Sequence, residues 1–326
     1  MSKSGNASNK QLKDYLSPDE IRALQVFSPL RVSLDIVITW TLVLGAIAAS
    51  AAWPELPVLA VSFVLIASRQ LALTHLVHDA SHYRLFRSRR LNDLVSDLLL
   101  AGPVAISTES YRSQHLPHHQ FLGDFERDTD QRSWYSIRGM RFCTRTLLTL
   151  LGWEAVATFR SYARAGSDGG SASGLLWRLC CAAISNTLLL GYCWWLGQPL
   201  LYFILWFMPL FTLTMLLQNY RVIAEHQTEE YAARNIDRER VSFAPPLTRT
   251  LQAGPLGKLL LGPMNFHYHH EHHLAPSVPY HQLPKMHREL VRRGYYQEHR
   301  EALGAGYADT LWHLIFPAEQ GTLNHG

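Results

Sequence analysis

The sequence predicts an all-α integral membrane protein, with four transmembrane helices in two hairpins and a cytoplasmic helical cap carrying a histidine-rich site. Three observations predict it. Four long apolar stretches punctuate the 326 residues. They pair across two short turns containing proline. Histidine clusters fall where an even number of stretches has been passed, so all of them lie on one side of the membrane.

Ile36 to Trp53 is apolar and uncharged. Trp53-Pro54-Glu55-Leu56-Pro57 turns the chain into Val58 to Val77, which only Arg69-Gln70 interrupts. Leu179 to Leu196 is apolar again, Gly197-Gln198-Pro199 breaks it, and Leu200 to Leu217 follows. Each stretch is close to the ~20 residues that cross ~30 Å of hydrocarbon. Buried helix pairs of a soluble protein are the competing reading, and four stretches paired in this way weigh against it. The two turns carry no Lys or Arg, whereas Arg22, Arg31, Arg84, Arg87, Arg89, Arg90, Arg221, Lys285, Arg292 and Arg293 lie on the other side. Basic residues mark the cytoplasmic face, so both termini are expected there, and the expected location is a bacterial inner membrane. Residues 1–30 form a cytoplasmic N-terminal segment, 31–290 the membrane domain and 291–326 a cytoplasmic C-terminal tail. The first 25 residues are polar, so no cleaved signal peptide is expected. Leu91–Ile106 and Thr144–Ala163 mix apolar and polar positions at helical spacing, as helices lying at the interface or within the cap would. Ala165–Gly174 reads as a flexible linker.

Composition narrows the chemistry. A net charge of +4 gives little support to a nucleic-acid role. Cys143, Cys180, Cys181 and Cys193 form no C-x-x-C pair, which speaks against a disulfide framework or a cysteine metal site. The 17 histidines are the unusual feature, and "HYHHEHH" from His267 to His273 is their densest run.

On a helix, residues three and four apart share a face. "HDASH" supplies His78 and His82, and "HLPHH" supplies His115, His118 and His119. Pro117 suits the latter only near the start of a helix. His226 follows the fourth stretch. In HYHHEHH, the triplet His269, His272 and His273 can converge while His270 points away. Nine histidines exceed the three or four ligands of one zinc. They can hold two iron ions, which imidazole suits. Neutral ligands leave the cations' charge uncompensated, so nearby acids are candidates to orient the rings by accepting their other N–H. Asp79, Asp128, Glu225 and Glu271 are placed for this, with Asp124 and Asp130 beside them. His75, three residues before His78, could line the site, but is expected to support a ligand or pack rather than bind metal. His281, His287, His299, His313 and His325 lack the spacing and read as cap or tail residues. Arg69 within its stretch would ordinarily mark a functional site, but it is near the cytoplasmic end and could snorkel instead.

HDASH, HLPHH and HYHHEHHLAPSVPYHQLP resemble the three histidine boxes of the membrane fatty acid desaturase family, and the resemblance runs from about residue 30 to 290. It includes the two hairpins and the Arg221…Glu225-His226 element. One departure is His267, where many members carry Asn, with His270 in place of an apolar residue. The resemblance implies a non-haem di-iron centre that uses O2 to oxidise an unactivated C–H bond of a lipid or fatty acyl chain. Reducing O2 to two waters takes four electrons. Desaturation provides two, so a separate donor such as a ferredoxin or cytochrome b5 must provide the rest. Basic residues including Arg84, Arg87, Arg89, Arg90 and Lys285 could dock it, or could face lipid headgroups. Hydroxylation or ketolation of a fatty acyl chain, carotenoid or other lipid is the alternative within the family. A membrane metal transporter is a remote one, because its ligands would sit at mid-bilayer. A haem-binding cytochrome would pair histidines across facing spans, and these spans hold almost none.

Overall fold

The computed structural model describes residues 12–124, 127–130, 134, 137–156, 172–226 and 248–317. Helix α1, Pro29–Ala52, begins on a proline at its first turn, and α2, Leu56–Ser81, does likewise with Pro57. Proline suits these positions because the first-turn N–H groups have no helical acceptor. At 1.5 Å per residue these helices run ~36–39 Å, longer than the ~30 Å of hydrocarbon, and the first histidines lie at the end of α2. The third span, α6 (Ala172–Trp195), turns at Gly197 with φ 74°, a left-handed position that glycine adopts freely. The fourth is interrupted. A π-helical segment, Tyr202–Phe207, and a short helix, Met208–Phe211, precede a break at Thr212, and α7, Leu213–Glu225, follows. Gln70 donates to the Trp206 carbonyl at 2.7 Å and accepts from Thr214 at 2.7 Å, which ties the interrupted span to α2. Among the described residues, four helices are thus long and apolar enough to cross a membrane. Their outward leucines and tryptophans, such as Leu176, Leu188, Trp194 and Trp195, are exposed, as a lipid-facing surface requires.

Between the hairpins lie α3 (Arg89–Ser96), α4 (Thr108–Phe121) and α5 (Gly139–Leu150). The helix expected over 91–106 begins at Arg89 and changes character, becoming a π-helical turn at Asp97–Ala101 and a 3₁₀ turn at Gly102–Val104. The cause is close packing. A Cβ on Gly102 would meet the Asp97 carbonyl at 2.5 Å and the Cys181 backbone at 3.0 Å. The helix expected over 144–163 starts earlier and is cut at Gly152, whose φ is 83°; residues 157–163 lie outside the described residues, as does most of the expected linker. Met140, Leu147, Leu151 and Trp153 are exposed, an apolar surface of the kind an interfacial helix presents.

Helix α8 (Pro255–Leu260) leads to α9 (His269–Leu274) and α10 (Leu283–Arg292). The one sheet among the described residues pairs β1, Thr250–Leu251, in parallel with β2, Leu303–Gly304. Helix α11, Tyr307–Ile315, packs back on α5 and α7. Residues 303–315 thus pack against β1, α5 and α7. Arg69 does not snorkel. It is buried and donates to the Ser68 hydroxyl and the Leu259 carbonyl, each at 2.8 Å, because α8 covers it.

Candidate metal centre

Four elements deliver histidines to one place. The end of α2 gives His78, with His82 as the residue that closes the helix. Helix α4 gives His115, His118 and His119. Ser107 starts that helix by accepting the Ser110 N–H at 3.1 Å, so Pro117 lies in its interior rather than near its start as expected. His226 closes α7, and α9 supplies His269, His272 and His273.

The nine rings form two groups. Ring nitrogens of His78, His82, His115, His119 and His272 that could ligate a metal lie within 4.8 Å of one another, and so do those of His118, His226 and His273. His269 joins the second group, its Nε2 being 3.0 Å from His226 Nε2 and 3.1 Å from His273 Nε2. The expected convergence of His269, His272 and His273 is thus divided. In each triplet the i and i+4 residues face one centre and the i+3 residue faces the other: His115 and His119 against His118, and His269 and His273 against His272. At ~100° per residue, i+4 lies about 40° to one side of i and i+3 about 60° to the other. Two triplets facing each other can therefore build two adjoining centres.

The residues fit metal ions. His119 Nε2 faces His115 Nε2 at 2.9 Å and His272 Nε2 at 3.0 Å, and His269 stands in the same relation to its two neighbours. A neutral ring nitrogen either donates or accepts, so one linear hydrogen bond per central ring is the most these contacts allow. Two ligands at right angles on one ion, with bonds of about 2.1 Å, would stand about 3.0 Å apart. His78 Nε2 and His82 Nε2 are buried without a hydrogen-bond partner. Burial, reinforced by the neighbouring rings, holds His115, His119, His269, His272 and His273 well below the ordinary imidazole pKa. Burial together with Arg84 and Arg112 brings His82 down to about 3. Such a shift favours the neutral form of these six rings, which is the form that binds metal.

The four acids are placed differently. Asp128 accepts from His118 Nδ1 at 2.8 Å. Burial opposes its charge, but His118 and the Gly123 and Asp130 amides outweigh burial and keep the carboxyl below its usual range. A Glu225 oxygen lies 3.6 Å from His269 Nδ1, and an Asp79 oxygen 3.5 Å from His78 Nδ1. Both are near contacts rather than hydrogen bonds. Glu271 meets none of the nine rings through a described hydrogen bond. It accepts from His287 Nδ1 at 2.5 Å and from the Thr250 and Tyr296 hydroxyls, which anchors α9 to α10 and β1.

His270 is buried and turned away, bonded to Thr248 at 2.9 Å and Tyr295 at 2.8 Å. His267 is buried outside both groups. His75 bonds to the Pro263 carbonyl at 2.9 Å and stacks on Phe266 at 3.9 Å. Sequence reasoning passed over Phe266, whose ring lies 4.6 Å from that of His78 and 5.4 Å from that of His269. It also passed over His287 as a partner of Glu271. A single aromatic beside a histidine run carries no pattern that would have marked it. A small cavity lies against both centres, lined by His78, Asp79, Phe266, His269, His272, Tyr280 and Leu283.

A model of the fatty acid desaturase family matches residues 52–304 of the chain. Dihydrorhizobitoxine desaturase of Bradyrhizobium elkanii is 26% identical over 291 residues, which cover 85% of this chain and 77% of that protein. A Caenorhabditis elegans protein named "Putative sphingolipid delta(4)-desaturase/C4-monooxygenase" is 26% identical over 223 residues, covering 66% of this chain and 54% of that protein. The chain thus spans about half the length of the second relative.

Proposed function

The chain belongs to the fatty acid desaturase family, and on that premise we propose that it is an O2-dependent di-iron enzyme that desaturates a lipid chain, most directly a fatty acyl chain. Its membership and its four apolar helices make it an integral membrane oxidoreductase. The observation that carries the finer reading is the division of nine buried or half-buried imidazoles into a group of five and a group of four. In this reading His78, His82, His115, His119 and His272 hold one iron, and His118, His226, His269 and His273 the other. Bound there, the iron pair would supply the oxidising power that an unactivated C–H bond needs and that no side chain can provide. Asp128 fixes the tautomer and orientation of His118, and Glu225 and Asp79 stand behind His269 and His78. Phe266 and Leu283 give the adjoining cavity an apolar wall against which a methylene group could be held. Electrons would come from a separate ferredoxin or cytochrome b5-like protein, for which the exposed Arg87, Arg89, Arg90 and Lys285 offer a basic surface.

Hydroxylation is the second reading, favoured by the monooxygenase activity in the name of the C. elegans relative. The two outcomes share the first hydrogen abstraction and differ in whether a second hydrogen leaves or oxygen is added. Expression in a lipid-producing bacterial host, followed by mass spectrometry of extracted lipids, separates them. Desaturation is expected, read as a product lighter by two hydrogens. A product heavier by one oxygen would assign hydroxylation instead, and an unchanged lipid profile would count against lipid substrates.

The proposed setting is a bacterial inner membrane with both termini and the metal centre in the cytoplasm. Helices α2 and α7 both end at the histidines, as helices returning to the same side must. With Cys143 and Cys180 replaced by Ser, Gln198→Cys should react with an impermeant thiol reagent on intact cells. Lys285→Cys, also exposed, should react only after permeabilisation. Labelling of Lys285→Cys in intact cells would invert the topology.

A further inference from the structure

We infer that Tyr307, in the C-terminal segment, is a positioning residue of the four-histidine centre, acting on His269 through Glu225. The inference rests on the two-centre reading above. Tyr307 is buried, and its hydroxyl donates to Glu225 Oε1 at 3.0 Å. The other carboxylate oxygen, Oε2, pairs with Arg221 and lies 3.6 Å from His269 Nδ1. His269 presents its far nitrogen, Nε2, to His226 and His273. One phenol, one carboxylate and one imidazole thus run in series into the centre, and the first belongs to α11, beyond the last histidine box.

The structure builds a place for this phenol. A Cβ on Gly257 would come within 3.1 Å of the Tyr307 ring, and a Cβ on Gly262 within 3.0 Å of its hydroxyl. Glycine at both positions lets the backbone close around the ring. Just upstream, β2 pairs with β1, where a Cβ on Gly304 would meet the Leu251 side chain at 2.6 Å. The backbone N–H of Arg249, one residue before β1, donates to the Glu225 carbonyl at 2.6 Å. Downstream, Leu314 packs into the same apolar cluster as Phe142, Val222 and Ile223. The segment is held on both sides of Tyr307, so the hydroxyl has one direction in which to donate.

That direction matters because Glu225 has two alternatives. Its charge is attracted to Arg221, and without a second donor both oxygens can turn to the guanidinium. The Tyr307 hydroxyl holds Oε1, so only Oε2 is left to Arg221 and it remains beside His269. Loss of the hydroxyl would release the carboxylate from this orientation and leave His269 less firmly aimed. Groups that orient a metal ligand typically contribute 10–100-fold to metal affinity. Tyr307 acts one group further out, so about tenfold is expected, confined to one of two binding steps.

Titration of detergent-purified, metal-stripped protein with Co(II), followed by its visible absorption, tests this without turnover. Wild type should bind two Co(II) ions in resolvable steps. Tyr307→Phe should weaken one step about tenfold and leave the other. Gly257→Ala keeps the phenol but crowds its ring, and should weaken the same step even if Tyr307→Phe fails to fold. Tyr192→Phe, which removes a remote tyrosine hydrogen bond to the Leu44 carbonyl, should alter neither. Unchanged Co(II) binding in Tyr307→Phe, or equal weakening of both steps, would overturn the inference. If wild type itself binds fewer than two ions, the two-centre reading fails and takes the inference with it.

Discussion

Alanine at His269, His272 or His273 is expected to abolish turnover and lower bound iron, whereas alanine at His270 should leave most of both. All four residues sit in one short helix and all are histidine, so composition cannot separate them. Geometry does. His272 faces the five-histidine group, and His269 and His273 face the four-histidine group. Removing any one deletes a proposed ligand, with a loss expected to exceed the about 10–100-fold seen when only a ligand's hydrogen-bond partner is removed. His270 spends both nitrogens on Thr248 and Tyr295. Its removal leaves two buried hydroxyls short of a partner, at about 1–3 kcal/mol each. His270→Ala should therefore lower thermal stability while iron per folded chain stays near wild type. Iron analysis and a melting curve on the same preparations distinguish the two effects. If His270→Ala loses iron as His272→Ala does, the assignment of ligands along α9 is wrong.

The largest effect on stability is expected at Arg221. Its side chain is 4% exposed and pairs with Glu225, which is fully buried, while its guanidinium lies 4.3 Å from the centre of the Phe266 ring. Replacing it by Met keeps much of the bulk but leaves a buried carboxylate without its cation, a loss of about 3–5 kcal/mol. The thermal midpoint in detergent should fall by roughly 5–15 °C. Arg221→Met/Glu225→Gln removes the stranded charge and should recover most of that loss. It should not recover metal affinity, because the group behind His269 has lost its charge. A double variant as unstable as Arg221→Met would show that the arginine contributes through packing on Phe266, and not through the ion pair.

The spans were legible because hydrocarbon imposes a length and an apolar composition that few other settings require. Their true ends were not. Helix α2 runs to Ser81 rather than Val77, since a helix carries on past the bilayer wherever the cap gives it contacts. The boxes were legible from the i, i+3, i+4 spacing, which limits which side chains can share a face. Spacing is silent on what stands opposite, so the division of each triplet between two centres needed the facing helix. Pro117 points to a helix start nearby, but the Ser107 cap sets the start of α4 ten residues earlier and leaves Pro117 in its interior. Glu271 was placed by adjacency to His272. Neighbours on a helix diverge by about 100°, and this one turns to His287, Thr250 and Tyr296. Tyr307 was not legible. Its link to Glu225 joins residues 82 apart in sequence and depends on glycines at 257 and 262 whose purpose appears only when the segments are packed.

The central claim is that nine histidines hold two iron ions. Iron quantified per chain in protein expressed with iron supplied and purified in detergent tests it most directly, with zinc measured in the same sample. The account predicts close to two irons, with activity that rises and falls with iron content. One stoichiometric zinc, with activity indifferent to iron, would contradict it.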